Sequence, residues 1–319
     1  MSQNTKRFGI SSKLQEILCL LGQSSVFEDG EEILEELLGI HISGKQIQRV
    51  SEKYGEVIEK QQQAYVKEDE SVCRLTIQNK KAPVYMLVDG SLLYTREEGW
   101  KEIKVGRIFA QSDIVPVQKN RNQITQSLYV SHLGNHKDFL EKWDAYTRPY
   151  SHKVFIGDGA KWNWNWVEDN YPDAVQILDF YHAKEKLAQY AFHQYTDAKK
   201  RKRWMKTQEN YLLNDKVQKV IGHLKCSSGR TDQAEQARKD VLRYYENNCC
   251  RMHYKTYLNN GYLIGSGAIE SAHRDVVQQR LKLSGQRWSI KGAQQIVNLR
   301  AYKKSDRWNE VVQFVKNAA

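Results

Sequence analysis

The chain has 319 residues, enough to bury a sizeable core, and its 40% hydrophobic and 27% charged residues suit a globular protein rather than a fibrous or disordered one. No run approaches the roughly 18–20 consecutive apolar residues of a membrane span, and MSQNTKRFGISSK lacks the apolar segment of a secretion signal. A cytoplasmic, nucleoid-associated location is therefore expected. The formal net charge of +11 suggests a polyanionic partner, and it is unevenly spread: residues 1–70 hold eight Lys/Arg against thirteen Asp/Glu, whereas residues 271–319 hold ten against three.

In chain order, residues 11–22 (SSKLQEILCLLG) and 27–38 place apolar side chains at helical spacing, each closing near a glycine. Ser43 with Gln46 has the pattern of a capping box opening a third helix, GKQIQRVSEKYGEVIEK. Helix, short turn and helix is the outline of a helix-turn-helix, with Lys45, Gln46, Gln48 and Arg49 near the start of the reading helix. Its acidic balance leaves a plain packing module as an equal alternative. From residue 83 the texture changes. VYMLVDG is a short apolar run, as in a strand buried on both faces; SLLYTRE, KEIKVGRIFA and SLYVSHLG (127–134) follow as β-formers. HKDFLEKWDAYTR reads as a helix, KVFIGDG (153–159) as a strand, KWNWNWVEDNY as a helix, DAVQILD (173–179) as a strand and FYHAKEKLAQYA as a helix. This order predicts an α/β fold with an RNase H-like mixed sheet: an antiparallel meander followed by parallel strands with helical crossovers.

Residues 195–258 have no strand-like run and read as an all-helical insertion before GYLIGSG and a last helix starting near Ala268. The expected organisation is thus a helical module over 1–76, a core over 77–194, the insertion over 195–258, and completion of the core with basic helices over 259–319. The run KKRKRWMK (199–206) reads equally well as a solvated face or a polyanion contact. Five cysteines (Cys19, Cys73, Cys226, Cys249, Cys250) are odd in number and irregular in spacing, as for reduced thiols. His223 with Cys226 and Cys249 with His253 have helical spacing that suits a zinc site, but no CxxC or knuckle glycine accompanies them. Buried thiols and surface histidines are the preferred reading.

Three acids form the candidate site. Asp89 and Asp158 are each expected at the carboxyl end of a strand, followed by a glycine that lets the chain turn away; in an RNase H-like sheet the two strands are neighbours, and ligands gather at such ends. Glu270 lies in the first turns of the last helix. Three carboxylates together require cations, and Mg²⁺, a hard ion that takes oxygen ligands, suits them. Two such ions stabilise the attacking and leaving oxygens of an in-line phosphoryl displacement. Taken alone, Asp-Gly is also an ordinary turn pair, and Glu in a first turn suits the helix dipole.

The segments VDGSLLYTRE, FIGDGAKWNWN, ILDFYHAKEKL and IGSGAIESAHRDVVQQRLKLSGQRWS, in this order, resemble bacterial insertion-sequence DDE transposases, most closely the ISKra-type group, from about residue 10 to the C-terminus. The resemblance implies Mg²⁺-dependent DNA strand cleavage and strand transfer at the ends of an insertion sequence. Asp89, Asp158 and Glu270 would be the metal-binding triad, holding two Mg²⁺ ions for which Mn²⁺ can substitute. His182, in LDFYH with Asp179, would support the reaction beside the scissile phosphate; the alternative is an Asp179 that caps a helix and a His182 that packs. Partners implied are the terminal inverted repeats and target DNA, with a homodimer or higher oligomer on DNA. Arg280, Lys282 and Arg287 beside Trp288 suit a groove that tracks a phosphate backbone and stacks a base, with core packing for Trp288 held level. Trp162, Trp164 and Trp166 alternate, so at least one is expected to be exposed or to face DNA. The rivals are an RNase H-like nuclease without strand transfer and a domesticated DNA-binding protein.

Overall fold

The computed structural model describes residues 9–68, 75, 81–118 and 121–318. Cys73 and the expected boundary between 76 and 77 lie outside them. The chain divides into one unit of Met1–His152 with Ala268–Ala319 and a second of Lys153–Gly267. Both strands and helices are present, so the protein is mixed α/β. Among the described residues, no helix is long and apolar enough to cross a membrane.

The first unit begins with three helices: α1 (Ser12–Ser24), α2 (Phe27–Leu38) and α3 (Gly44–Glu68). The Ser11 side chain caps α1 by accepting from the Leu14 amide at 3.3 Å. At α3 the capping box is only half formed. The Gln46 amide meets Ser43 Oγ at 3.4 Å, but the Gln46 carboxamide turns to Arg49, 3.2 Å away. Ile47, Val50, Tyr54 and Ile58 are fully buried and give α3 one apolar face, as their spacing requires.

The sheet of this unit is antiparallel. Strand β1 (Val84–Thr95) pairs with β2 (Gly99–Ala110), and β2 with β5 (Leu128–Leu133); between them β3 (Ile114–Gln118) and β4 (Arg121–Ile124) form a separate hairpin. Val84–Val88 is buried residue by residue, as expected of VYMLV. The strand does not end at Asp89. Asp89 pairs with Val105, Gly90 with Lys104, and the ladder runs on to Thr95 opposite Gly99. The expected turn at Asp89-Gly90 is therefore absent: cross-strand pairing overrides the local preference of the dipeptide, and VDG and SLLYT are one strand.

After α4 (His136–Thr147) the chain enters the second unit, described below. The first unit resumes in α11 (Gly267–Ala272), which passes through a π-helical segment, His273–Gln278, into α12 (Gln279–Leu281). Helices α13 (Ile290–Lys304) and α14 (Trp308–Ala318) follow. The continuous stretch Gly292–Tyr302 of α13 is buried on every side. Gln294 accepts from the Leu133 amide of β5 at 2.7 Å, and Asn298 donates to the Gly55 carbonyl of α3 at 3.2 Å. Any side chain at Gly55 would collide with the Gln295 backbone, so the close approach of α3 and α13 requires glycine there. The buried Arg300 donates to the carbonyls of Val276, Gln23 and Asp275, tying α13 to α1 and to the π segment.

In the second unit, β6 (Lys153–Gly157) and β7 (Val175–Leu178) pair in parallel, with α5 (Lys161–Asn170) as the crossover. Helices α6 (Phe180–Gln194), α7 (Ala198–Leu212), α8 (Val217–Lys225), α9 (Asp232–Asn248) and α10 (Tyr254–Asn259) complete it. Its helical core is rich in tyrosine, with Tyr190, Tyr245 and Tyr254 buried, and Tyr245 donates to the Ala183 carbonyl at 2.8 Å. Trp164 is buried in α5 while Trp162 and Trp166 are half-buried, Trp166 packing against Phe155 and Tyr171. None of the three is fully exposed. The run 199–206 lies on α7 and is mostly solvated.

Candidate functional site

The site in the first unit is built on β1 and the helix that follows Gly267. Asp89 is half-buried, and its Oδ1 accepts from the Gly90 amide at 2.7 Å. Opposite its other oxygen stands His273, whose Nε2 lies 3.8 Å from Asp89 Oδ2. That is beyond direct hydrogen-bond range, and Nε2 is buried without a hydrogen-bond partner. Nδ1 of the same ring lies 3.2 Å from Ser91 Oγ, two residues along β1 and on the same strand face as Asp89. Burial lowers the His273 pKa; the Asp89 backbone and then its carboxylate oppose that shift, and Lys282 adds to it. The His273 ring thus faces the Asp89 carboxylate.

Glu270 is exposed in the first turn of α11, one helical turn before His273, so the two side chains share a helix face. The helix start is fixed by Arg107 of β2. This buried guanidinium donates to the Ala268 carbonyl at 2.7 Å and to Ser127 Oγ at 3.0 Å, between the rings of Phe109 and Tyr129. Lys282 is exposed yet close enough to Asp89 to feel its charge: partial burial lowers its pKa and Asp89 raises it. Arg287 is also exposed.

Arg280 and Trp288 do not have the place expected for phosphate and base contacts. Arg280 is 0% exposed, its Nε donating to the Gly22 carbonyl at 3.0 Å and its guanidinium lying over the rings of Phe27 and Trp288. Trp288 is buried, donates to the Leu281 carbonyl at 3.0 Å and bridges to Thr95 at the end of β1. A cation and an aromatic ring so placed fold the RLKLSGQRWS segment and offer no surface to a ligand. Lys45 and Arg49 are exposed near the start of α3.

In the second unit, Asp158 is exposed and follows β6 directly, at the strand's carboxyl end as expected. Its Oδ1 accepts from the Ala160 amide at 3.0 Å, and its carbonyl accepts from the Tyr244 hydroxyl at 2.7 Å. Gly159 has φ +99°, and a Cβ there would sit 2.8 Å from the Tyr244 ring, so the turn admits only glycine. Asp179 is fully buried: Oδ1 accepts from the His182 amide at 2.6 Å, capping α6, and Oδ2 accepts from the Ser266 amide. Asp179 thus takes the capping role and joins LDFYH to the IGSG segment, while the His182 ring is half-buried.

Within each unit taken by itself, and among the described residues, no three His, Cys, Asp or Glu side chains are grouped closely enough to hold a metal ion. The zinc arrangement of His223, Cys226, Cys249 and His253 does not form. Nor are these thiols buried: Cys226 and Cys250 are exposed and Cys249 is half-buried, with only Cys19 enclosed among the described cysteines. Arg107, Ser91 and His273 were missed by sequence reasoning. An arginine within the apolar KVGRIFA run demands buried partners, and a histidine one turn beyond Glu270 shares its face; both signals were legible.

No protein-family model matches the chain, and no curated protein sequence does either. Among solved structures it is similar to the Drosophila P element transposase strand transfer complex, at 9% identity and a TM-score of 0.29, over 98% of this chain and 82% of that one. A likeness of that size assigns neither fold nor function.

Proposed function

We propose that the chain is a DNA transposase on an RNase H-like core, cleaving DNA strands and joining them at the ends of an insertion sequence, with Asp89, Asp158 and Glu270 as its metal-binding carboxylates. The observation that carries the reading is the approach of His273 to Asp89, which sets the helix bearing Glu270 alongside the carboxylate of β1. Asp89 and Glu270 present accessible carboxylate oxygens, the donors that a hard divalent ion takes. A buried histidine nitrogen lacking a partner beside one of them suits an orienting group behind a metal ligand. Mg²⁺, or Mn²⁺ in its place, would supply charge that activates an attacking oxygen and stabilises a leaving one.

In this proposal the residues divide the work. Asp89, Asp158 and Glu270 would hold the ions; His273, held by Ser91, stands 3.8 Å behind the Asp89 carboxylate and would steady it once an ion draws it in; Arg107 holds the start of the Glu270 helix. Lys282 and Arg287 meet phosphates near Asp89, and His182 stands beside the Asp158 strand pair. The DNA partners are the element ends and a target, engaged by a dimer or higher oligomer.

The test replaces Asp89→Asn, Asp158→Asn and Glu270→Gln one at a time and measures Mg²⁺-dependent nicking and joining of a DNA carrying the element ends. Each substitution is expected to abolish both reactions and to leave DNA binding intact. Cleavage at the wild-type rate by any of them removes that residue from the site. Cleavage without joining by the wild-type chain would favour a plain nuclease.

A further inference from the structure

The second unit contains a cleft of about 1170 Å³ that no residue discussed above explains. It is bounded by α5, α6 and α9, and its floor reaches Gly159 and Tyr244. Lys161, Lys186 and Arg243 line it from three different helices. Lys161 and Arg243 are exposed and Lys186 is half-buried, and among the described residues none of them has a carboxylate within ion-pair distance. The other arginine of the cleft, Arg251, is tied up: it pairs with Glu168 and lies over the Trp164 ring at 4.7 Å. Of the two acids in the lining, Glu168 is held by Arg251 and Asp240 accepts from Gln236 Nε2 at 3.0 Å through each oxygen. Amides of Asn165, Gln189 and Asn247 supply uncharged donors and acceptors between them.

Unpaired cations left inside a concave slot repel one another unless an anion lies among them. Three on separate helices suit a chain of spaced negative charges better than one compact anion. The floor supplies a direction. Tyr244, whose hydroxyl is bonded to the Asp158 carbonyl, leads from the cleft to the turn after β6. Between the charged groups the lining is amides with the rings of Trp164, His193 and Tyr244, a mixture that fits an unpaired strand, whose bases can stack on rings and pair with amides. From this we infer that the cleft binds single-stranded DNA, its phosphates held by Lys161, Lys186 and Arg243 as the strand leaves the Asp158 turn. The choice of DNA as the polyanion rests on the function proposed above; the cleft's taste for an extended polyanion does not.

The experiment measures binding of labelled oligo-dT and of a duplex of equal length to the full chain without divalent metal, so that cleavage plays no part. Alanine at all three positions is expected to weaken oligo-dT binding on the order of 10–100-fold and to flatten the slope of log affinity against log salt by about 0.7 per contact removed. Lys239→Ala, on α9 but outside the cleft, should bind as wild type. Should the triple variant fail to fold, Arg243→Gln alone carries the same expectation at a few-fold loss. Unchanged oligo-dT affinity and slope overturn the proposal, as does a loss confined to the duplex. A chain that binds oligo-dT through these residues yet never cleaves DNA refutes the transposase reading and leaves the cleft standing; cleavage with an unaltered triple variant does the reverse.

Discussion

In the unit containing the N- and C-terminal helices, Arg280, Arg300 and Arg307 are almost fully enclosed, their guanidinium groups donating to backbone carbonyls or to the Glu310 carboxylate and tyrosine hydroxyls. In Lys153–Gly267 the three cations of the α5–α6–α9 cleft reach solvent with no carboxylate partner among the described residues. The first set belongs to the most basic stretch of the sequence, the second to helices of mixed charge. Counting charge along a chain therefore does not separate enclosed cations from exposed ones, since Lys282 and Arg287 lie in the same basic stretch as Arg280 and Arg300. A guanidinium has five donors in a fixed fork, and where helix ends leave carbonyls open it serves as a crosslink as readily as a phosphate clamp. Whether a cation has an internal partner is decided by the fold, and that is what separates the enclosed arginines from the cations of the cleft.

The sharpest way to break this comparison is Arg300→Met. It would leave the Gln23, Val276 and Asp275 carbonyls without their donor, and a loss of about 3–5 kcal/mol in urea-unfolding stability is expected, with no selective effect on DNA affinity. A variant as stable as wild type would show that the buried arginines are not structural.

A second prediction concerns pH. Burial, aided by Lys142, Lys104 and Lys101 and opposed by Asp138, lowers the pKa of His132 from 6.5 to about 4. The unfolded chain then takes up this proton before the folded one does. Stability from this group is complete above pH 6.5 and is lost as pH falls towards 4, by at most about 3 kcal/mol. His132→Leu should flatten the acid limb of the stability curve over that interval; an unchanged limb would place the acid sensitivity elsewhere.

The smallest effects are those at exposed cations of the first unit. Lys282→Ala or Arg287→Ala should each reduce the salt slope of DNA binding by about 1 without altering stability, whereas Arg280→Met should lower stability instead. Equal behaviour of all three would erase the distinction between exposed and enclosed cations.

Much of the architecture could be read from periodicity. The three opening helices, the apolar strand at residue 84, the β6–α5–β7 crossover and the helical stretch after residue 195 all follow their spacing. Asp89 was misplaced because an Asp-Gly pair signals a turn locally, while the Val105 and Lys104 partners that extend the ladder lie on another strand. The hairpin of β3 and β4 went unread because its strands are only five and four residues long, too few to carry a period, and Pro116 interrupts the first. The candidate acids were legible as residue types, and so were an arginine inside an apolar run and a histidine one turn after Glu270; the partners of Arg107 and His273 were not, because they lie more than 150 positions away in sequence.

The π-helical stretch from His273 to Gln278 has a consequence for how this protein tolerates change. A widened turn holds one residue more than an α-helical one, so it sets the rotational phase of everything beyond it. Excising a single residue there would return the segment to α-helical winding, five residues at about 100° each covering nearly the arc that the wider coil covers with six. Arg280 would stay between Phe27 and Trp288, whereas the same deletion inside a regular helix such as α13 would turn everything beyond it by about 100°. The segment can therefore absorb a one-residue deletion that the neighbouring regular helices cannot.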